Sequence, residues 1–386
     1  MQPKVAPNMA PDPIPLNDLK RQTESLAVEL RAAAERVLAR GWFVLGPEVE
    51  AFELEFAAYC GVAQCVALAN GTDALELALR ALGVGPGDQV ATVANAGGYS
   101  TTAIRAIGAL PLYVEIDWLT MNMDSRALAA ALTPKVKAVI VTHLYGQMAH
   151  VESMLAAAGR LGIPVVEDCA QAHGAELHGK RAGSWGVIGC YSFYPTKNLG
   201  ALGDGGAVVT NDASLARTMR QLRQYGWSGK YVSTLAGGRN SRLDELQAAF
   251  LRAKLPHLDG WNVRRRAVAL AYDTRLADRN LRLAAPGLDL GNVAHLYVVR
   301  SPQRLALQAA LKAAGIGTDI HYPMPDHLQE SGRDLGYRPG QFPLTEAACQ
   351  QVLTLPCFPE LRPDEIERVI AVTVEALQPK RAESQP

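Results

Sequence analysis

Val165-Val166-Glu167-Asp168-Cys169-Ala170-Gln171-Ala172-His173-Gly174 is the stretch that decides the fold. An apolar run ends in two carboxylates and then turns small and polar. Such a run predicts a buried strand, over 164–167, that delivers Asp168 to the ligand edge of a sheet. A carboxylate there can pair with a cationic ring nitrogen, hold a metal, or cap the next helix. Outward from this strand the same pattern repeats. Residues 65–69, 89–94, 112–114 and 138–142 predict strands, and 72–82, 100–107, 125–132 and 151–161 predict the helices between them. This alternation implies the α/β class: a mostly parallel, buried sheet with helices on both faces.

Upstream, apolar residues at helical spacing predict a helix over 19–40, then a turn at Gly41-Trp42-Phe43-Val44-Leu45-Gly46-Pro47 and a helix over 47–60. Trp42 and Phe43 read as core aromatics or as the border of a site. Downstream, strands are predicted at 187–194 and 205–210, a helix at 213–225 and a long helix at 243–270. The last third predicts a strand at 295–300, a helix at 302–314, a strand at 317–321, an irregular stretch at 323–342 and a helix at 363–377. The division implied is a large domain over 1–255, including the N-terminal helical segment, and a smaller α/β domain over 256–386. The polar tail 379–386 is expected to fray.

Lys plus Arg and Asp plus Glu are 38 each, so the 386-residue chain is formally neutral. A general nucleic-acid binder needs a surplus of cations, and this chain has none. No apolar run approaches the ~20 residues of a membrane helix. Four prolines and no apolar core near the start argue against secretion. Six cysteines without a CxxC pair read as reduced core thiols of a cytoplasmic protein.

Two further stretches can carry chemistry. In Ser192-Phe193-Tyr194-Pro195-Thr196-Lys197-Asn198-Leu199-Gly200, Lys197 lies between an apolar segment and a Gly-rich turn. A lysine so placed is a solvated surface residue or a nucleophile of lowered pKa. Asn70-Gly71-Thr72-Asp73-Ala74 joins a strand to a helix N-terminus. It is an ordinary cap or an anion cradle of free amides and a hydroxyl. Cradle, carboxylate and lysine together on one sheet edge fit pyridoxal 5′-phosphate, which needs an anion site, a counter-charge for its ring nitrogen and an amine.

These motifs, with Gly46-Pro47-Glu48-Val49, Gly203-Asp204-Gly205-Gly206 and Gly238-Arg239-Asn240-Ser241-Arg242, resemble the DegT/DnrJ/EryC1/StrS family of sugar aminotransferases, from about residue 14 to 377. The resemblance implies the pyridoxal-phosphate-dependent transferase fold of type I. It implies that Lys197 bonds the cofactor and then carries the proton, that Asp168 pairs with the pyridine nitrogen, and that Gln171 lies near the ring oxygen. Gly71, Thr72 and Ser192 are expected to hold the phosphate. Asn240 is expected to reach the phosphate in a partner subunit, which makes the active unit a homodimer. Counting places Gly97 where family members carry an aromatic ring, so Tyr99 is the candidate for stacking on the cofactor. Lysine at 197, where the family's dehydratases have histidine, favours transamination.

Residues 94–99, His143-Leu144-Tyr145-Gly146-Gln147, residues 194–203 and Asp319-Ile320-His321-Tyr322-Pro323 resemble enzymes that aminate dTDP-linked 3-keto-6-deoxyhexoses. The implied reaction moves the amine of L-glutamate onto the nucleotide-linked keto sugar. Tyr194, His321 and Tyr322 are the candidate substrate contacts, with a packed pair at a strand end as the alternative reading of the last two. A 4-keto or UDP-linked sugar is the alternative substrate. No metal is expected.

Overall fold

Asp18 starts the first helix by accepting hydrogen bonds from the Lys20 and Arg21 amides, at 3.1 and 3.2 Å, which the first turn otherwise leaves without partners. The computed structural model describes residues 12–276 and 291–378, so the tail expected to fray lies outside the described residues. The single helix expected over 19–40 is two, α1 (Leu19–Ser25) and α2 (Ala27–Arg40). Thr23 Oγ1 donates to the Leu19 carbonyl and Ser25 Oγ to that of Gln22. These bonds compete with the helical ladder and break it at Leu26. α3 (Pro47–Cys60) follows with proline in its first turn.

One seven-stranded sheet carries the strand–helix alternation. In chain order its first members are β1 (Gln64–Leu68), β2 (Gln89–Val93), β3 (Leu110–Val114), β4 (Val136–Thr142) and β5 (Val165–Asp168). A hairpin of β6 (Glu176–Leu177) and β7 (Lys180–Arg181) intervenes before β8 (Ile188–Ser192) and β9 (Gly206–Thr210). The spatial order is β1-β9-β8-β5-β4-β2-β3. The pairs from β8 to β3 are parallel, and β9 runs antiparallel to both neighbours. Helices α4 (Gly71–Ala81), α5 (Tyr99–Ala106), α6 (Ser125–Ala131), α7 (Val151–Gly159) and α8 (Ala213–Leu222) lie against it. Alternate residues serve opposite faces: Val166 packs with α4, α5 and α8, whereas Val165 packs with α6 and α7.

Beyond β9 an exposed hairpin forms from β10 (Trp227–Gly229) and β11 (Val232–Ser233). The long helix expected over 243–270 is broken into α9 (Glu245–Lys254), a tight turn at Leu255–His257, and α10 (Leu258–Leu276). Pro256 is the cause: it lacks an N–H and its ring crowds the preceding turn. β12 (Tyr297–Arg300) and α11 (Arg304–Ala313) match expectation. The strand expected at 317–321 does not form. That segment bridges to β13 only at Asp319–Thr354, and Gly317 donates instead to the Ile14 carbonyl at 2.7 Å. α12 (Pro343–Gln351) and β13 (Val352–Leu355) were not read from the sequence; β13 pairs antiparallel with β12. α13 (Pro363–Leu377) closes a cluster with α10, α11 and both strands, into which Ile14 also packs.

All six cysteines are free and buried, as expected of core thiols. Trp42 and Phe43 are 57% and 49% exposed, so the core reading of this pair is wrong. The adjoining turn is held instead by Glu245, whose carboxylate accepts from the Gly46, Glu48 and Val49 amides at 2.8–2.9 Å. Among the described residues no helix is long and apolar enough to cross a membrane.

Gly206 of β9 lets the turn at Asn70 approach the sheet; a Cβ there would meet the Asn70 carbonyl at 2.3 Å. Gly206→Ala is therefore expected to lower stability in urea denaturation by about 1–3 kcal/mol, the range for overpacking.

Candidate active site

The C-terminal ends of the parallel strands open into a cavity of about 770 Å³, within the ~300–1,000 Å³ range of small-molecule sites. β5 ends at Asp168 on its wall, β8 ends at Ser192, and the turn after β8 brings Lys197. Gly71 and Thr72, at the start of α4, line the cavity next to Ser192.

The cradle follows from helix geometry. Asn70 caps α4, its side chain accepting from the Asp73 amide at 2.8 Å and its carbonyl from Ala74. The Gly71 and Thr72 amides have no partner among the described residues. Gly71 is required by packing: an added Cβ would meet the Ser192 Cβ at 2.6 Å. Two free amides at a helix N-terminus, with the Thr72 and Ser192 hydroxyls, suit a phosphate.

Lys197 is half-buried and lines the cavity, and burial lowers its pKa from 10.5 to about 8, against the pull of Asp168. Asp168 is 6% exposed, and burial raises its pKa; the Ala170 amide at 3.1 Å, Lys197, His143 and Thr142 oppose that rise. A buried carboxylate of this kind gains from a cation placed against it. Asn198, beside the lysine, donates to Asn262 Oδ1 at 2.8 Å and to the Val293 carbonyl at 3.1 Å, and its Oδ1 lies 2.9 Å from His295 Nδ1. The backbone that carries Lys197 is thereby pinned.

Gln171 is held at both ends. Its Oε1 accepts from the Tyr145 amide at 2.6 Å, and its Nε2 donates to the Tyr322 hydroxyl at 3.2 Å. Tyr322 fills the space beside Gly97: a Cβ on Gly97 would meet its ring at 2.7 Å. Tyr99 lines the cavity, half exposed, with its ring edge-on to Tyr322 at 6.2 Å. Tyr194 and His321 line the same cavity. His321 Nδ1 sits 2.8 Å from Thr354 Oγ1, and burial lowers its pKa, which keeps the ring neutral.

Of the expected site residues only Asn240 lies elsewhere: it is exposed and bridges Gln224. Trp42 and Phe43 do not line the cavity either. His143, Glu167 and Cys169 gather ligand-type atoms within 4.8 Å. Glu167 spends both oxygens on the Gly183, Trp185 and Gly186 amides and on His143 Nε2, so this group is a hydrogen-bonded hub. Sequence reasoning missed Leu16, Asn17, His295 and Asp319 on the wall. They come from segments without a motif, and only Asp319, in the stretch quoted with His321, carried any signal.

Residues 24–374 match the family model of the DegT/DnrJ/EryC1/StrS aminotransferases, and the chain belongs to that family. The erythromycin biosynthesis sensory transduction protein EryC1 of Saccharopolyspora erythraea is 45% identical, over 93% of this chain and 98% of its own. The dTDP-3-amino-3,6-dideoxy-alpha-D-galactopyranose transaminase of Aneurinibacillus thermoaerophilus is 45% identical, over 92% of this chain and 98% of its own. The crystal structure of DesV from S. venezuelae matches with a TM-score of 0.92 at 44% identity, covering 96% of this chain and 100% of that one. The protein is thus an aminotransferase that uses pyridoxal 5′-phosphate. The residues present fit that cofactor: unpartnered amides for its phosphate, a buried carboxylate for its ring nitrogen and an amine of lowered pKa for its aldehyde.

The lysine gives a pH-dependent prediction. Between pH 8 and 10.5 the unfolded chain binds the Lys197 proton and the folded chain does not, so this residue makes stability rise with pH across that window. Lys197→Met apoprotein is expected to be more stable than the parent at pH 7. The gain should shrink as pH rises through the window, in parallel urea titrations. A gain independent of pH would show that Lys197 holds no lowered pKa.

Proposed function

We propose that the chain transfers the amino group of L-glutamate to a dTDP-linked 3-keto-6-deoxyhexose, giving a dTDP-3-amino-3,6-dideoxyhexose and 2-oxoglutarate. The observation that carries this reading is the meeting of Lys197, Asp168 and the Gly71–Thr72 cradle in one cavity. When bound, pyridoxal 5′-phosphate supplies an aldehyde that bonds amines and a ring that draws electrons from a neighbouring carbon.

The chain's own groups do the rest. The Gly71 and Thr72 amides, with the Thr72 and Ser192 hydroxyls, bind the phosphate. Asp168, ionised beside a cationic ring nitrogen, holds the proton there. Gln171 orients the ring through its outer oxygen, its own position set by Tyr145 and Tyr322. Lys197 Nζ, neutral for a useful fraction of time because its pKa is near 8, would take the α-proton from the amino donor and deliver it to the cofactor's aldehyde carbon, and for the sugar would move a proton the opposite way, from that carbon to the sugar's C3. Tyr99, Tyr194, His321 and Tyr322 border the space left for the sugar.

The sugar assignment is supported by the activity named for the Aneurinibacillus relative and by the motifs at 94–99, 143–147, 194–203 and 319–323. A homodimer is supported by the exposed Asn240, and by a cavity wall whose described residues include Lys197 but no arginine. Substrates that bring a pyrophosphate and carboxylates need further cations, which a second subunit can offer. The buried free thiols support a cytoplasmic site of action. The regulatory name of the Saccharopolyspora relative favours a sensor, yet an intact lysine, carboxylate and cradle support catalysis.

Two measurements test the proposal. The absorption band of the bound cofactor should change on adding dTDP-3-amino-3,6-dideoxyhexose and stay unchanged with the dTDP-4-amino isomer. Change with the 4-amino sugar alone would move the reaction to C4, and change only with a UDP-linked 3-amino sugar would replace the nucleotide. Lys197→Ala should fold normally and lose at least ~10²–10⁴-fold in kcat, the worth of a positioned proton carrier.

A further inference from the structure

We infer that Asn17 binds a hydroxyl group of the hexose, through a strap of N-terminal chain laid across the cavity wall. The inference rests on the nucleotide-sugar reading above and adds a residue that no motif marks.

The strap is fixed at both ends. The Ile14 amide donates to the Gly315 carbonyl at 2.9 Å, and Gly317 donates back to Ile14 at 2.7 Å. Ile14 is 1% exposed within the C-terminal cluster. Arg368 Nη1 holds the Asp12 carbonyl at 2.7 Å. At the other end Asp18 is committed to capping α1. The close approach needs glycine at 317, where a Cβ would meet the Leu16 nitrogen at 2.8 Å. Between these anchors Leu16 and Asn17 form part of the cavity wall.

The Asn17 carboxamide is half-buried and makes no hydrogen bond to any described residue. It brings two donors and an acceptor to a site where water is displaced when ligand binds. The same wall carries Asp319, two residues beyond Gly317, and the neutral imidazole of His321. A carboxamide, a carboxylate and a neutral imidazole together suit hydroxyl groups, which both donate and accept. The Asp319 carboxylate disfavours an anion beside it, so the substrate's phosphates are not expected at this part of the wall. Of the two substrates the hexose is the one rich in hydroxyls, whereas glutamate presents carboxylates.

The test uses the holoenzyme and its Asn17→Ala and Asn17→Asp variants. Calorimetry reads the affinity for dTDP-3-amino-3,6-dideoxyhexose and for dTDP alone, and the cofactor band reads the rate of amino transfer from glutamate. Asn17→Ala is expected to weaken the amino sugar about 5–10-fold, the loss of one ligand hydrogen bond, with dTDP affinity and the glutamate rate unchanged. Asn17→Asp, of the same shape, keeps an acceptor but loses both donors and adds charge beside Asp319, so it should weaken the sugar as well. Unchanged sugar affinity in both variants overturns the assignment, as does an equal loss for dTDP or a slowed glutamate step. A parent enzyme that reacts with glutamate but binds no nucleotide sugar overturns the underlying reading, and the assignment with it.

Discussion

The buried carboxylate of Glu167 is the constraint on which the site is built. A carboxylate wholly removed from water persists only when its lone pairs are used. Here three amides of the 183–186 turn and the His143 ring use them, at 2.7–2.9 Å. His143 Nδ1 accepts from the Ala149 amide, so Nε2 carries the proton it gives to Glu167. This one group therefore ties the end of β5 to the turn before β8 and to the chain after β4. Gly186 permits the approach, since a Cβ there would meet the Val165 carbonyl at 2.4 Å. Side chains alternate along a strand. With Glu167 committed to the interior face, Asp168 points the other way, into the cavity.

Lys197 is placed by a comparable economy of means. Asn198 locks one side of its turn to α10 and to the Val293 carbonyl. Lys254 locks the other, donating to the Gly200 carbonyl at 2.8 Å. That second lysine is 1% exposed, and burial lowers its pKa to about 8. A loop held at two points leaves Lys197 little backbone freedom, which is how a rigid scaffold positions a side chain. The cavity thus joins two kinds of support: strand ends that fix Asp168 and Ser192, and a pinned turn that fixes the amine.

Much of this was legible in the chain. Strand–turn–helix alternation announced the parallel sheet because burial on both faces demands continuous apolar runs. Asp168, Lys197 and Gly71–Thr72 were each ambiguous alone and became legible as one site only in combination. Breaks in helices were less visible. Thr23 and Ser25 bend one through their own hydroxyls, and Pro256 kinks another. β13 escaped notice because Val352–Leu355 is a short apolar run abutting a helix, which periodicity alone cannot classify.

The ring beside Gly97 shows the limit most clearly. The sequence shows a glycine there and a tyrosine two residues on, and Tyr99 does line the cavity. The space is filled by Tyr322, delivered from the far part of the chain. Asn17 and His295 reach the same cavity from equally distant segments. The sequence by itself determined the α/β class, the aminotransferase family and which lysine, carboxylate and helix-start turn to look at, because each rests on local pattern and the three recur together. Only the tertiary structure decided which remote side chains complete the wall. Contacts between segments hundreds of residues apart depend on how helices and loops pack, and no local periodicity encodes that.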